Sequence, residues 1–590
     1  MPHRTLLAVV VVFALVAPSS AQPVAKPKPE LPKVVLIGDS IRLGYAPLVV
    51  KRLEGKARVV SVEANGGDSD NVLKHLDEWV IREKPAVVHL NCGLHDLKLS
   101  KKTKQHQVPL DKYEANLKEI VIRIRKGTSA ALGFADTTPI LDDRHAKRGA
   151  DFDRFEADVK RYNESARKVM REAGVPVHDL HGIVEDGGAD KLLGGDGTHY
   201  TAAGYERLAD AVADCVLRQL IVSRPRTPPV PRPDPKADAA TYRKAEAERD
   251  ALVPKAYRDL RAPEFHVPES PAAWQERRPA LLKAVRASLG DLPPRPAPLK
   301  VRLVSRELRP GYTLERVGID NGVDNEIGAL LLVPDKRTKP APAILWLHSS
   351  TPDKTNIITP DTEGGPEPLG EVFVKAGYVV LAPDAYWHGE RAGTGPSGSA
   401  ETGRAEQESL HKLHLWMGRT LWGMFVRDDQ IALDYLCGRP EVDAKRVGAT
   451  GMSMGSTRAW WLAAVDDRVA AVVGVACLTR YQNLIAHGGL RQHGVYYFVN
   501  GLLKTCDTEG VIALIAPRPY LALTGDLDAG SPADGIKVIE EKAKGVYKAL
   551  GTEDRFRSVL YPDVGHTYTP EMRKEMLAWF ERWLIIPSRP

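Results

Sequence analysis

Two short serine turns, Gly38-Asp39-Ser40-Ile41 near the start and Gly451-Met452-Ser453-Met454-Gly455 far down the chain, constrain the fold more than any other feature of the sequence. Each follows a β-rich run, residues 34–37 before the first and 446–450 before the second, and the second leads into the helix-like stretch 456–464. At such a strand-to-helix turn a serine sits above the end of a sheet at a helix N-terminus, and enough strand-and-helix pattern follows each serine to build an α/β layer of its own. Each also has a histidine downstream, His199 in Asp196-Gly197-Thr198-His199 and His566 after Gly565. One core does not serve 590 residues, because chains beyond about 250–300 residues divide into domains. The expectation is two successive α/β units.

Their limits follow from composition. A short basic start, an apolar run over residues 6–17 and the small residues Ser19-Ser20-Ala21 predict a cleavable leader over 1–21. That run falls short of the roughly 20 residues a membrane span needs. A secreted or periplasmic product without a stable membrane anchor is expected. Pro225, Pro228, Pro229, Pro231, Pro233 and Pro235 forbid helix and favour an extended spacer, predicting a linker over 222–239 between a first domain, 33–221, and the rest. In the first domain, apolar runs at 34–37, 59–62, 87–90, 130–134 and 175–180 alternate with amphipathic stretches at 111–125 and 153–173, the pattern of a parallel sheet with helices on both faces. A helical extension is expected over 240–299, with Ser270-Pro271 as cap and first-turn proline. A second domain over 300–587 opens with antiparallel strands at 301–306, 313–319 and 327–333, the last two joined at Asn321-Gly322. Further strands are predicted at 343–347, 378–382, 446–450, 470–475, 520–524 and 557–561.

Charge and cysteines exclude more than they assign. A net charge of +6 without a long basic cluster offers no nucleic-acid footprint. The five cysteines are too scattered for a disulfide framework and show no zinc spacing, so no metal and no cofactor is expected. The sequence says nothing of oligomeric state.

The second serine turn carries the more specific chemistry. A serine hydroxyl becomes a good nucleophile when a base takes its proton and a carboxylate orients that base. His566 follows the last predicted strand, where such a base belongs, and the acid should follow the strand before it. Asp526 and Asp528 both lie there, and the Gly-x-x-Asp spacing favours Asp528. An oxyanion site needs backbone donors from the residue after the nucleophile and from an early loop, here Met454 and Ser349 in Leu347-His348-Ser349-Ser350. In the first domain Asp196 precedes His199 by three residues, close enough for the carboxylate to orient the ring and bring it to Ser40.

Gly-Met-Ser-Met-Gly, the His348-Ser349 loop, Ala382-Pro383-Asp384 leading to His388-Gly389-Glu390-Arg391, and Ala516-Pro517-Arg518-Pro519 resemble the α/β hydrolases grouped with acetyl xylan esterases and dienelactone hydrolases. Where that group usually has His-Gly, this chain has His348-Ser349. Residues 33–220 resemble the SGNH, or GDSL-like, hydrolases in Gly38-Asp39-Ser40, in the Asn65-Gly66-Gly67-Asp68-Ser69 block and in Asp196 with His199. That resemblance implies oxyanion donors from Gly67 and from an asparagine, whose place is taken by His95 in Gly93-Leu94-His95-Asp96. A neutral imidazole has one N–H and can stand in for an amide donor.

The resemblances imply a flavodoxin-like α/β/α sandwich followed by an α/β-hydrolase fold. They also imply a serine esterase with two centres, acting on ester-decorated, chiefly acetylated, polysaccharide through acyl-serine intermediates. Two alternatives stand beside it: a peptidase of the prolyl-oligopeptidase type in the second domain, or one active centre beside an SGNH-like module that binds without catalysing.

Overall fold

The computed structural model describes residues 31–223, 235–338, 340–350, 353–359 and 367–585. The expected leader, 1–21, and residues 224–234 of the expected linker lie outside them. Among the described residues, no helix is long and apolar enough to cross a membrane.

Among the described residues, fourteen strands join in one sheet. They are β1 (Lys33–Ile37), β2 (Arg58–Ser61), β3 (Val87–Asn91), β4 (Ala131–Ala135) and β5 (Val177–His178) in the first half. The second half adds β6 (Val301–Arg309), β7 (Tyr312–Asp320), β8 (Glu326–Pro334), β9 (Ala341–Leu347) and β10 (Val379–Pro383). It ends with β11 (Val442–Met452), β12 (Val469–Val475), β13 (Tyr520–Gly525) and β14 (Phe556–Tyr561). Across the sheet the order is β14-β13-β12-β11-β9-β10-β8-β7-β6-β5-β4-β3-β1-β2. Strands β1–β5 pair in parallel, β6–β8 form an antiparallel meander, and β9–β14 pair in parallel. Every residue of β3 and β9 is buried, as interior strands of a parallel sheet covered on both faces require.

All the predicted strands are present, but the run at 175–180 forms only the two residues of β5. That short strand is the seam between the halves. Val177 lies opposite Leu308 and His178 opposite Glu307 in an antiparallel pairing, and Asp179 N–H donates to the Arg306 carbonyl at 2.8 Å. Separate layers on either side of a spacer were expected, and the layers instead share a sheet. Glu307 is fully buried there. Its carboxylate accepts from Arg218 Nε at 2.8 Å, on the helix Ala202–Ser223 of the first half, and from Arg309 Nη2 at 3.0 Å. Burial alone would raise the Glu307 pKa, but the two guanidinium groups hold it well below the usual carboxylate range. Around it, Arg316 reaches Asp214 at 3.0 Å and Arg306 reaches Asp186 at 3.0 Å, each pair spanning the two halves.

The helical extension packs on the second half. Its first helix, Pro235–Leu252, begins inside the span expected as linker, and Arg249 Nε donates to the His487 carbonyl at 2.6 Å. The helix Pro271–Ser288 starts as predicted, with the Ser270 hydroxyl accepting from Ala273 N–H at 3.2 Å and Pro271 in the first turn.

Breaking the seam pair leaves the buried Glu307 with Arg309 as its remaining guanidinium partner. Arg218→Met should therefore destabilise the chain by up to about 3–5 kcal/mol, the cost of a buried charge left wholly unpaired, in urea unfolding followed by circular dichroism. A loss within error would remove the pair from the structural account. The sign with pH follows from a depressed folded pKa: the stability from Glu307 is present above the unfolded glutamate value of about 4.3 and is lost as pH falls. Glu307→Gln should therefore be less acid-sensitive than the wild type, though weaker at neutral pH.

Candidate active sites

In the second half, Ser453 sits between β11 and the helix Met454–Val465 with φ 58°, a left-handed conformation that strains a non-glycine residue. The flanking glycines are there for space. A Cβ on Gly451 would lie 2.1 Å from the Leu347 carbonyl oxygen, and one on Gly455 only 1.9 Å from it. The end of β9 thus presses on both sides of the turn and lifts the hydroxyl above the sheet.

His566 Nε2 lies 2.9 Å from Ser453 Oγ, and its Nδ1 lies 2.8 Å from Asp528 Oδ2. Asp528 is buried, and its second oxygen accepts from Gly530 N–H at 3.0 Å, so the carboxylate is held from both sides. The hydrogen bond to Asp528 outweighs burial and raises the His566 pKa. Asp526 plays no part in that line; it and Asp563 receive Arg243 of the extension, at 3.5 and 2.6 Å. The Cys477 thiol lies 3.9 Å from Ser453 Oγ, and burial raises its pKa, so it stays a neutral neighbour.

Of the two expected oxyanion donors here, Met454 lines the cavity with Ser453, whereas in the early loop the lining residue is Ser350 and not Ser349. The Ser349 carbonyl accepts from His348 Nδ1 at 2.6 Å, while His348 Nε2 accepts from Ala385 N–H at 2.9 Å. The imidazole thereby ties the loops after β9 and β10 together and sets how the Ser349 peptide is turned.

The cavity over Ser453 holds about 710 Å³. Trp387, Tyr496 and Tyr497 form an aromatic wall, and Arg404, Gln407 and Arg491 supply polar groups. Sequence reasoning missed most of these, because they come from long excursions between strands. Tyr242 of the extension also lines it. Of the other tryptophans, Trp422, Trp460 and Trp461 are buried and Trp416 is 90% exposed. His388 and Arg391 are buried, with His388 in the cavity wall and Arg391 Nη2 2.7 Å from Asp428.

In the first half, Ser40 opens the helix Ser40–Arg52 directly after β1, with the Asp39 carboxylate accepting from Ile41 N–H at 2.9 Å as the cap. His199 Nε2 is 2.9 Å from Ser40 Oγ and its Nδ1 is 2.6 Å from Asp196 Oδ2. Asp196 Oδ1 also accepts the N–H groups of Thr198 and His199, at 3.0 and 2.8 Å. One carboxylate therefore folds the turn and orients the ring. Gly197 sits at φ 67°, where a Cβ would come 2.6 Å from the Leu141 carbonyl oxygen, so the turn needs glycine. Burial would raise the Asp196 pKa, but the hydrogen bonds from His199 and Thr198 hold it well below the usual range.

The Gly67 N–H, expected to face the oxyanion, donates to Asn65 Oδ1 at 3.0 Å within its own loop. This asparagine turn, with Gly67 at φ 65°, could not be read from the glycine alone. His95 sits on the neighbouring loop, which is fastened to the Gly67 loop through Asp96 Oδ1 and Ser69 N–H at 2.9 Å. His95 Nδ1 lies 2.9 Å from Lys98 Nζ. In both halves, hydroxyl, imidazole and carboxylate stand in one hydrogen-bonded line, the arrangement that general-base activation of a serine requires.

Comparisons with known proteins agree with this division. Residues 36–207 match the GDSL-like Lipase/Acylhydrolase family, and residues 343–578 match the Dienelactone hydrolase family. YtaP of Bacillus subtilis (strain 168), a protein named as a hydrolase, is 34% identical over 313 residues, 52% of this chain and 99% of that protein. The isoamyl acetate-hydrolyzing esterase 1 homolog of Rattus norvegicus is 27% identical over 195 residues, 30% of this chain and 78% of that protein. Among solved structures, a Bacteroides fragilis protein named as an acetyl xylan esterase is similar at 21% identity and a TM-score of 0.43, over 56% of this chain and 87% of that one. A glucuronoyl esterase from Solibacter usitatus is similar at 21% identity and a TM-score of 0.42, over 54% and 98%.

The two aspartates of the second site make a direct test. Asp528→Asn should lower kcat by about four orders of magnitude if this carboxylate orients the base, whereas Asp526→Asn should change it little. A severe loss at Asp526 with a mild one at Asp528 in steady-state kinetics would reverse the assignment. The second site should also gain activity as pH rises through the raised pKa of His566, since the base works only when neutral.

Proposed function

Because the chain belongs to the GDSL-like lipase/acylhydrolase family in its first half and to the dienelactone hydrolase family in its second, and is a carboxylic ester hydrolase, we propose that it is a secreted esterase with two serine centres that removes acetyl and related ester groups from polysaccharide. The observation that carries the reading is the pair of hydrogen-bonded lines, Ser453–His566–Asp528 and Ser40–His199–Asp196.

At the second centre, Ser453 Oγ attacks the ester carbonyl as His566 Nε2 takes its proton. Asp528 keeps the proton on Nδ1 and steadies the imidazolium that forms. The Met454 N–H, at the start of its helix, is the donor assigned to the developing oxyanion. His566 then protonates the departing alcohol, and a water activated by the same ring hydrolyses the acyl-serine. The first centre runs the same steps with Ser40, His199 and Asp196, and His95 takes the place of the amide donor.

Support for a carbohydrate ester comes from the cavity, whose mixture of aromatic and polar groups suits a hydroxylated leaving group. The name of the rat relative, an acetate-ester hydrolase homolog, supports an acetyl group at the first centre. Secretion rests on the leader-like residues 1–21.

In the full chain, Ser453→Ala should abolish one acetyl esterase activity and spare the other, and Ser40→Ala the reverse. Acetate released from acetylated polysaccharide and turnover of an aryl acetate are the measurements. If either change in a folded protein removes all activity, there is one working centre; turnover of a peptide amide without ester turnover would favour a peptidase.

A further inference from the structure

The first centre departs from its family at the residue that should touch the oxyanion, and the structure shows what stands behind that residue. His95 follows Gly93, which sits at φ 143° where a Cβ would lie 2.3 Å from Thr137 Oγ1, so the loop turns sharply against its neighbour. The turn closes with Lys98 N–H donating to the His95 carbonyl at 3.3 Å. It also brings Lys98 Nζ to 2.9 Å from His95 Nδ1. Lysine is held in turn: its Nζ lies 5.0 Å from the centre of the Phe152 ring, and Arg154 packs on the same ring at 4.9 Å. Arg154 is buried and donates through Nε to the Leu94 carbonyl at 2.8 Å, next to His95 in the chain.

An ammonium group has donors and no acceptor, so the nitrogen facing it must accept. Nδ1 of His95 is therefore unprotonated, and a neutral ring keeps its proton on Nε2. Resting on the reading of the first centre as an esterase, we propose that Lys98 is a positioning residue: it fixes His95 as the Nε2–H tautomer and holds the ring so that this N–H serves as the oxyanion donor.

The charges around the ring agree. Burial first, then Lys98 and Arg154, push the His95 pKa down to about 4, against an opposing pull from Asp68, and His199 adds to the lowering. The ring stays neutral across the range in which a histidine base works. An asparagine amide carries its donor whatever surrounds it. An imidazole does so at a chosen nitrogen only when a neighbour settles the tautomer, so replacing asparagine by histidine creates a need that Lys98 meets.

The test is a double-mutant cycle in the full chain carrying Ser453→Ala, which leaves the first centre as the source of turnover. With an aryl acetate, Lys98→Met should lower kcat by about tenfold, a part of the 10²–10³ that a whole oxyanion donor is worth, with KM little changed. Lys98→Arg, which keeps a donor, should retain most of the rate. In a His95→Asn background the same Lys98→Met change should alter kcat by less than about twofold, because an amide has no tautomer to set. Histidine ¹⁵N resonances give a readout independent of turnover: the signal lost in His95→Asn should report Nε2–H in the wild type and a mixture in Lys98→Met.

An equal loss in both backgrounds would overturn the proposal, since Lys98 would then act on the fold or on the substrate directly. So would an Nδ1–H signal in the wild type. A serine-directed phosphonate separates these failures from that of the underlying reading. If Ser40 is labelled and the cycle is additive, only the role of Lys98 falls; if Ser40 is not labelled, the first centre is not a serine esterase and both fall.

Discussion

A fully buried glutamate, Glu307, held by Arg218 from the first half and Arg309 from the second, is the constraint on which the joined architecture depends. The strands that meet there share only two residue pairs, Val177 with Leu308 and His178 with Glu307. So short a ladder gives little cohesion by itself. The charges around it decide the register, because a shift of one residue would turn the Glu307 side chain to the other face and away from Arg218. The α/β unit of the first half and that of the second are thereby sections of one sheet.

The two halves reach the same Ser–His–Asp line by different physical means. In the second half the serine is forced into a left-handed conformation, and glycine on each side admits the Leu347 carbonyl. The strain is met by a deep acid, with Asp528 buried behind His566. In the first half Ser40 follows a capping aspartate in ordinary helix-start geometry, and Asp196 and His199 come from one glycine-bearing turn whose side chains are about one-third exposed. The first site is built from local turns, whereas the second depends on the packing of several strand ends. Over the second site the helical extension adds Tyr242 to the cavity wall and Arg243 to the loops that carry Asp528 and His566.

What the sequence made legible follows the same division. Ser40, Asp196 and His199 could be read because Gly38-Asp39-Ser40 and a three-residue turn are short-range patterns, and Ser453, Asp528 and His566 because each follows a predicted strand in fixed order. The strands themselves were legible for the same reason, as runs of buried Val, Ile and Leu. Donors were less so. Whether the N–H of Gly67 faces a substrate or Asn65 depends on a peptide's orientation, which residue type does not encode. At Ser349 the deciding partner, His348, is anchored by a backbone group beyond the next strand, Ala385. The seam was illegible too, since the run that becomes β5 says nothing of its partner in the other half, and Arg218 and Glu307 meet only after both halves have folded. Likewise nothing in the composition of the extension tells where Tyr242 docks.

The central claim is that one chain carries two separate serine centres. Active-site titration of the full chain with a chromogenic serine-directed phosphonate counts them. The account predicts two equivalents of leaving group per chain, with adducts on Ser40 and Ser453 identified by mass spectrometry of the digested protein. One equivalent at saturation, with a single labelled serine, would contradict it.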